Sequence, residues 1–179
     1  MINLSIKYAI LGVLSWKPTT GYDLKKFFED SSWMYWSGNN NQIYKALVQL
    51  LDEGLVTNEV QHQEKAPTKK IYTITEKGKQ ELKKWVLSAP EPPEFKKTFL
   101  VQLSWADLLT EEELNEVLSN YENEVKLQLL LHEEKKRRKN DFPSRNQREA
   151  LLWDIISDNI ISSYINELSW INSVRQKLQ

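Results

Sequence analysis

Four polar side chains fall on one face of a predicted helix in the N-terminal half of the chain: Asn41, Gln42, Lys45 and Gln49. Asn and Gln can form paired hydrogen bonds with adenine in the DNA major groove, and Lys reaches guanine acceptors or phosphate oxygens. Tyr44 lies at the flank of this face, where its phenol can reach a phosphate. A merely solvated helix face has a similar composition, so this face alone does not establish DNA contact.

Three lysines mark a second candidate contact, in and beside a polar segment between two β-type runs: Lys65, Lys69 and Lys70. In a hairpin that projects toward DNA, such lysines pair with backbone phosphates and make binding depend on salt. An ordinary solvated turn also contains lysines. Both interpretations predict exposed side chains, so exposure does not separate them.

The helix that carries the polar face must pack by its opposite side. There, apolar residues recur every three or four positions: Ile43, Ala46, Leu47, Leu50 and Leu51. Residues 39–41 are asparagines that can cap its start, and Gly54 supplies a left-handed stop after Glu53.

Two more helices are predicted before this one, over residues 4–14 and 21–29. Pro18 separates them, and Thr19 or Thr20 can cap the second helix. We expect the second helix to bury its apolar side chains: Tyr22, Leu24, Phe27 and Phe28.

Two strands and a fourth helix follow the polar face. The strands are predicted over residues 55–61 and 70–75, with residues 62–69 as the hairpin tip. Thr75 can cap the last helix, whose inner side would carry Leu82, Trp85 and Val86. The order α-α-α-β-β-α is typical of a winged helix-turn-helix, in which the third helix and the hairpin contact DNA.

Composition argues against an enzyme. The 179 residues contain no Cys and only two His, and the net charge is −1. A thiol nucleophile and a cysteine-ligated metal are therefore excluded, and His62 and His132 have no metal-ligand spacing. We find no Gly-rich phosphate loop and no G-x-S-x-G elbow. We therefore expect no cofactor and no metal, and the absence of a signal peptide or membrane span predicts a cytoplasmic protein.

A composition break divides the chain. Residues 89–93 contain three prolines, and every glycine precedes them. We predict a winged-helix DNA-binding domain over residues 1–88, a linker with a short helix over 89–109, and an antiparallel helical dimerisation domain over 110–179.

Two long helices are predicted in the C-terminal part. Thr110 and Glu113 form a capping box that opens the first, which extends to about Lys139, and Ser144 with Gln147 forms a second capping box. The last helix carries an apolar stripe that we expect to form a homodimer interface: Trp153, Ile156, Ile160, Tyr164, Leu168, Ile171, Val174 and Leu178. Packing of this stripe on the N-terminal domain is the alternative. The basic run at residues 135–139 is interpreted as an ordinary helix C-terminus.

Four aromatic residues could line a pocket for a planar effector: Trp33, Tyr35, Trp36 and Trp153. Ordinary core or dimer packing is the favoured interpretation of the same residues.

The N-terminal half resembles the PadR family of bacterial transcriptional regulators. The resemblance rests on five segments in the family's order and spacing: residues 9–14, 20–24, 42–47, 51–56 and 70–78. It implies a homodimeric winged-helix repressor, with Tyr44 as the recognition-helix tyrosine and Tyr22 near the DNA backbone. Residues 90–109 and 169–171 resemble the longer members of the family, which carry a helical C-terminal dimerisation domain. Lys45 departs from the Pro or small residue that the family often has there, which adds charge beside the bases.

We therefore expect a sequence-specific DNA-binding regulator, most simply a repressor that a small effector, for example an aromatic one, releases from its double-stranded operator. A winged-helix adaptor that binds other proteins and not DNA is the alternative.

Overall fold

A computed structural model describes residues 4–31, 40–63, 66–92, 97–138 and 144–178. The chain divides into two compact units, Met1–Glu91 and Pro92–Gln179. Within the described residues both units are mainly helical, and a small sheet belongs to the first.

Unit 1 has the predicted winged-helix order with one additional short strand. Its elements are α1 (Leu4–Leu14), β1 (Thr19–Thr20), α2 (Gly21–Asp30), α3 (Asn40–Asp52), β2 (Val56–Gln63), β3 (Ala66–Ile74) and α4 (Glu76–Val86). The strands form an antiparallel sheet in the order β1-β3-β2. The hairpin strands are longer than predicted, so the polar tip is shorter.

The core of unit 1 forms where α1, α2 and α3 pack together. Its fully buried side chains come from all three helices: Ile6, Ile10, Leu11, Leu14, Leu24, Phe28, Leu47 and Leu50. Burial of each such side chain away from water stabilises the folded state by about 1.5–3 kcal/mol. Tyr72 and Ile74 add the inner face of β3.

Two expectations about burial were wrong. Tyr22 is 68% exposed, and Val86 at the end of α4 is 67% exposed. Trp85 contributes to packing at the surface, because its ring stacks on Tyr8 with the centroids 4.6 Å apart. The Tyr8 hydroxyl also donates a hydrogen bond to Glu81, at 3.1 Å, so α1 and α4 are joined by both contacts.

The C-terminus of α3 ends in a Schellman turn. Gly54 has a positive φ of 67°, its N–H donates to Leu51, and the N–H of Leu55 donates to Leu50. Lys7 of α1 pairs with Glu53 at the same point, and this hydrogen bond lowers the pKa of the Glu53 carboxyl. The end of α3 is therefore held by both its own turn and the neighbouring helix.

The start of α4 approaches the same turn closely. Thr75 caps α4 by accepting from the N–H of Gly78 at 3.0 Å, and its own N–H donates to the carbonyl of Leu55 at 3.0 Å. A Cβ on Gly78 would lie 2.1 Å from that carbonyl oxygen and 2.8 Å from Cγ1 of Ile74. Only glycine fits here without a movement of the backbone.

Unit 2 contains α5 (Thr98–Ser104), a short 3₁₀ helix (Ala106–Leu108), α6 (Glu111–Arg138) and α7 (Gln147–Leu178). The predicted capping box of α6 is confirmed: the N–H of Thr110 donates to Glu113 at 2.8 Å, and the N–H of Glu113 donates to Thr110 at 3.3 Å. Ser144 was the wrong cap for α7. Asn146, which precedes the first residue of α7, caps the helix instead: its side-chain oxygen accepts a hydrogen bond from the N–H of Glu149 at 2.9 Å.

An aromatic and polar cluster joins α5 to the α6–α7 pair. Phe99 stacks on Tyr121 at 3.6 Å between centroids and meets the edge of Trp170. The Tyr121 hydroxyl donates to Glu167 at 2.8 Å, and Lys97 pairs with the same carboxylate. Burial, and then this hydrogen bond, raise the pKa of Tyr121.

The basic run at the end of α6 is engaged in local ion pairs. Arg137 and Arg138 both bind Glu134, and their hydrogen bonds lower the pKa of that carboxyl to about 2. Lys136 pairs with Asp158 of α7. The run therefore supports the helix pair.

We expect Gly78→Ala to destabilise unit 1 by about 1–3 kcal/mol, because the added carbon meets a backbone oxygen that cannot rotate away. Chemical denaturation followed by circular dichroism measures this loss.

Gly12→Ala is the matched control. A Cβ on Gly12, inside α1, meets nothing within 4 Å. It should therefore raise stability by about 1 kcal/mol through helix propensity. Equal effects of the two variants would contradict the close approach at Gly78.

Candidate nucleic-acid interface

The exposed face of α3 is the centre of the candidate interface. Asn41, Gln42 and Lys45 are exposed, as predicted. The opposite side of the helix is buried, with Ile43, Ala46, Leu47 and Leu50 each at most 6% exposed. Because the core holds that side, the polar side chains project into solvent along about two turns of helix.

Val48 also lies on this face, and the sequence analysis did not include it. Its side chain is 57% exposed. The signal was present in the sequence, since Val48 follows Lys45 by three positions and Asn41 by seven, the spacing of a single helix face. It was missed because apolar residues of a helix were expected to face inward.

Gln49 is less available than predicted. It is half-buried, and its amide donates to Glu53, the residue immediately after α3, at 2.7 Å. This contact also lowers the pKa of Glu53, after the larger effect of Lys7. The Gln49 donor is therefore engaged within the protein.

Tyr44 lies at the flank of α3 against the start of α2. It is 47% exposed, and a Cβ on Gly21 would come within 2.9 Å of its Cε1. Burial, and then the nearby Tyr44, raise the pKa of Tyr72 on β3. Because Gly21 has no side chain, the Tyr44 ring can lie between α2 and the sheet.

The start of α2 presents a second tyrosine. Thr20 accepts from the N–H of Asp23 at 3.1 Å and caps the helix, as predicted. Thr20 also pairs with Ile71 across the sheet, which fixes this end of α2 to β3. Tyr22 follows the cap and projects into solvent, so its exposure agrees with the family resemblance and not with the predicted burial.

The hairpin lysines occupy defined positions on β3. Lys69 and Lys70 pair with Gln61 and Val60 of β2, and both lysine side chains are exposed. Lys65 lies outside the described residues. Within the described parts of the chain, Lys45, Lys69 and Lys70 form no ion pair with a carboxylate, whereas Lys7 does.

The predicted effector pocket cannot be assembled from the described residues. Trp33, Tyr35 and Trp36 lie outside them, and Trp153 is half-buried on α7 within unit 2.

Helix α7, which carries the stripe predicted for the dimer interface, packs against α6 of the same chain. Ile171 is completely buried in the single chain, and six further stripe residues are half-buried: Trp153, Ile156, Ile160, Tyr164, Leu168 and Val174. Leu178, the last residue of the stripe, is 57% exposed. A second apolar set is also exposed on these helices: Leu127, Leu130 and Leu131 of α6, and Leu151, Leu152, Ile155 and Ile165 of α7. The outer set is available to a second molecule, and Ile171 is not.

The described residues contain no group of His, Asp and Glu side chains that could hold a metal ion. None of the helices in the described ranges is both long and apolar enough to cross a membrane.

Comparison with known proteins agrees with this architecture. The family model described as "Transcriptional regulator PadR-like family" matches residues 10–84, and the model "Virulence activator alpha C-term" matches residues 95–179. The chain is 34% identical to the negative transcriptional regulator PadR of Bacillus subtilis over 116 residues. That alignment spans 64% of this chain and 64% of the relative, so it covers less than two thirds of that protein.

Two solved structures of Bacillus subtilis PadR match nearly the whole chain. The structure in complex with operator DNA has a TM-score of 0.84 and 27% identity, covering 98% of this chain and 99% of the other. The structure in complex with p-coumaric acid has a TM-score of 0.74 and 26% identity, with 94% and 92% covered. Since the two family models account for both units in their proper order, the chain belongs to the PadR-like family of transcriptional regulators, of the longer type with a C-terminal helical domain.

Proposed function

We propose that this protein is a sequence-specific DNA-binding regulator that acts on double-stranded operators in the cytoplasm. The observation that carries the proposal is the exposed face of α3, where Asn41, Gln42 and Lys45 project from a helix whose other side is buried. An α-helix fits the major groove, where these side-chain types hydrogen bond with base edges. The likeness to a relative solved with operator DNA supports this use.

The hairpin and the start of α2 would contact the phosphate backbone. Lys69 and Lys70 supply positive charge that pairs with no carboxylate among the described residues, and Tyr22 and Tyr44 supply exposed phenols that can donate to phosphate oxygens. Such contacts orient the protein on DNA, whereas α3 discriminates between sequences.

We propose a homodimer that uses the exposed outer faces of α6 and α7. A winged helix that reads one half-site usually works with a second copy, related by a two-fold axis. The exposed leucines and isoleucines of unit 2 supply apolar area that a second copy can bury.

A repressor released by a small aromatic effector is the finer form of the proposal. A relative has been solved with p-coumaric acid, which supports this chemistry. Release requires that the effector bind more tightly to the dimer arrangement that does not bind DNA than to the arrangement that does. Adding p-coumaric acid to a preformed protein–DNA complex tests it, and an unchanged complex would reject this effector.

A gel-shift titration tests DNA binding. The full-length protein is mixed with the DNA immediately upstream of its own gene, at two salt concentrations and with excess nonspecific duplex. We expect saturable binding that weakens as salt rises. A folded protein that binds no duplex at low salt would favour the alternative of a protein–protein adaptor.

Lys45→Ala should weaken binding to the bound duplex by about tenfold, because it removes a base-edge or phosphate contact. Fluorescence anisotropy with a labelled duplex measures the affinity. Lys84→Ala, at an exposed lysine of α4, is the control and should leave affinity nearly unchanged. Equal losses in the two variants would remove α3 from the reading role.

Lys69→Ala combined with Lys70→Ala should weaken specific and nonspecific binding alike. The plot of log affinity against log salt should become shallower by about two, since about 0.9 counterion is released per phosphate contact. The same titrations over a series of salt concentrations give the slope. An unchanged slope would mean that these lysines contact only solvent.

Ile155→Lys should convert the dimer to a monomer, because it places a charge in the apolar surface that the second copy would cover. Light scattering coupled to size-exclusion chromatography gives the mass. Asn172→Lys introduces the same charge at an exposed polar position of α7 and should leave the dimer intact. A dimeric Ile155→Lys variant would place the interface elsewhere.

A further inference from the structure

The side chain of Val48 occupies the middle of the exposed face of α3. It lies about 60° around the helix from Lys45 and, like Lys45, close to the direction opposite the core. It is 57% exposed, whereas the apolar side chains on the other side of the same helix are at most 6% exposed. The core of unit 1 therefore does not account for a valine at this position.

Local structure does not account for it either. Valine is β-branched, which restricts its side chain in a helix and makes it a weaker helix former than Ala, Lys or Gln. An exposed helix position without another role is better filled by one of those residues. What Val48 offers at this place is a compact apolar surface flanked by hydrogen-bonding side chains.

Thymine is the base that such a surface fits. Its C5 methyl group projects into the major groove, and none of the other three DNA bases presents an apolar group there. Asn41 and Lys45, the polar neighbours on the same face, would form hydrogen bonds with the acceptors and donors of adjacent base pairs. Asn41 lies about 10 Å from Val48 along the helix axis, so the two side chains can meet different base pairs of one half-site.

We infer that Val48 is a specificity-determining residue that packs on the methyl group of one thymine in each operator half-site. The inference rests on the proposed DNA-binding function and adds one base preference to it. Because the contact is apolar, it contributes to sequence discrimination without adding to the salt dependence that the lysines produce.

Replacement of thymidine by deoxyuridine tests the contact, because it removes only the methyl group. The probe is the shortest duplex upstream of the protein's own gene that the full-length protein protects. Each thymidine of one half-site is replaced in turn, and affinity is measured for the wild type and for Val48→Ala. Val86→Ala, at an exposed valine of α4, is the matched control.

For the wild type, we expect one position at which deoxyuridine weakens binding about fourfold, the factor that corresponds to about 0.8 kcal/mol for one buried methyl group. Val48→Ala should bind the unmodified duplex more weakly and lose nothing further at that position, while it keeps the wild-type response elsewhere. Val86→Ala should behave as the wild type throughout. Unfolding midpoints of both variants near that of the wild type show that the fold is retained.

Two outcomes overturn the inference alone. Unchanged affinity of Val48→Ala, or losses that simply add to those of deoxyuridine at every position, would mean that no thymine methyl group packs on Val48. Both leave the proposed function standing, because the wild type still binds the duplex. A wild type that binds no duplex would reject the proposed function and this inference together.

Discussion

The close approach of α4 to the turn after α3 is the constraint on which the rest of unit 1 depends. Gly78 lies so near the carbonyl of Leu55 that no side chain fits between them, and Thr75 hydrogen bonds with the same carbonyl. Lys77 adds a hydrogen bond from its ammonium group to the carbonyl of Glu53, at 2.7 Å. These contacts join the end of α3, the return from the hairpin and the start of α4. The direction of α3 and the position of the hairpin are therefore set together.

Both candidate DNA contacts follow from that junction. The face of α3 is exposed because its other side is held in the core, and the hairpin is held beside it because β3 leads directly into the cap of α4. At the other edge of β3, β1 leads into the cap of α2. Tyr22, the exposed face of α3 and the hairpin lysines are thus attached to one small scaffold of short, well-capped elements.

The sequence predicted most of this arrangement, because helix caps and apolar periodicity are local signals. Thr20, Thr75, Thr110 and Gly54 each act where their residue type indicated. Strand β1 was missed because two residues are too few to show an alternation, and its existence depends on pairing with a strand some fifty positions later.

Features that depend on distant partners were harder to predict. Tyr22 is exposed whereas Leu24 and Phe28 of the same helix are buried, and the packing of α2 against α3 decides which side of the helix faces the core. The apolar stripe of α7 was assigned to a second molecule, and one of its residues, Ile171, is completely buried within the single chain. Periodicity identifies an apolar face but does not say which surface covers it.

The separation of the two sides of α3 has an evolutionary consequence. Ala46, Leu47 and Leu50 hold the helix in the core, and none of them projects toward a ligand. Asn41, Lys45 and Val48 are exposed and contribute little to the core, so exchanges at these positions leave the free energy of unfolding almost unchanged. Relatives that share this scaffold can therefore diverge in target preference after gene duplication without passing through unstable intermediates.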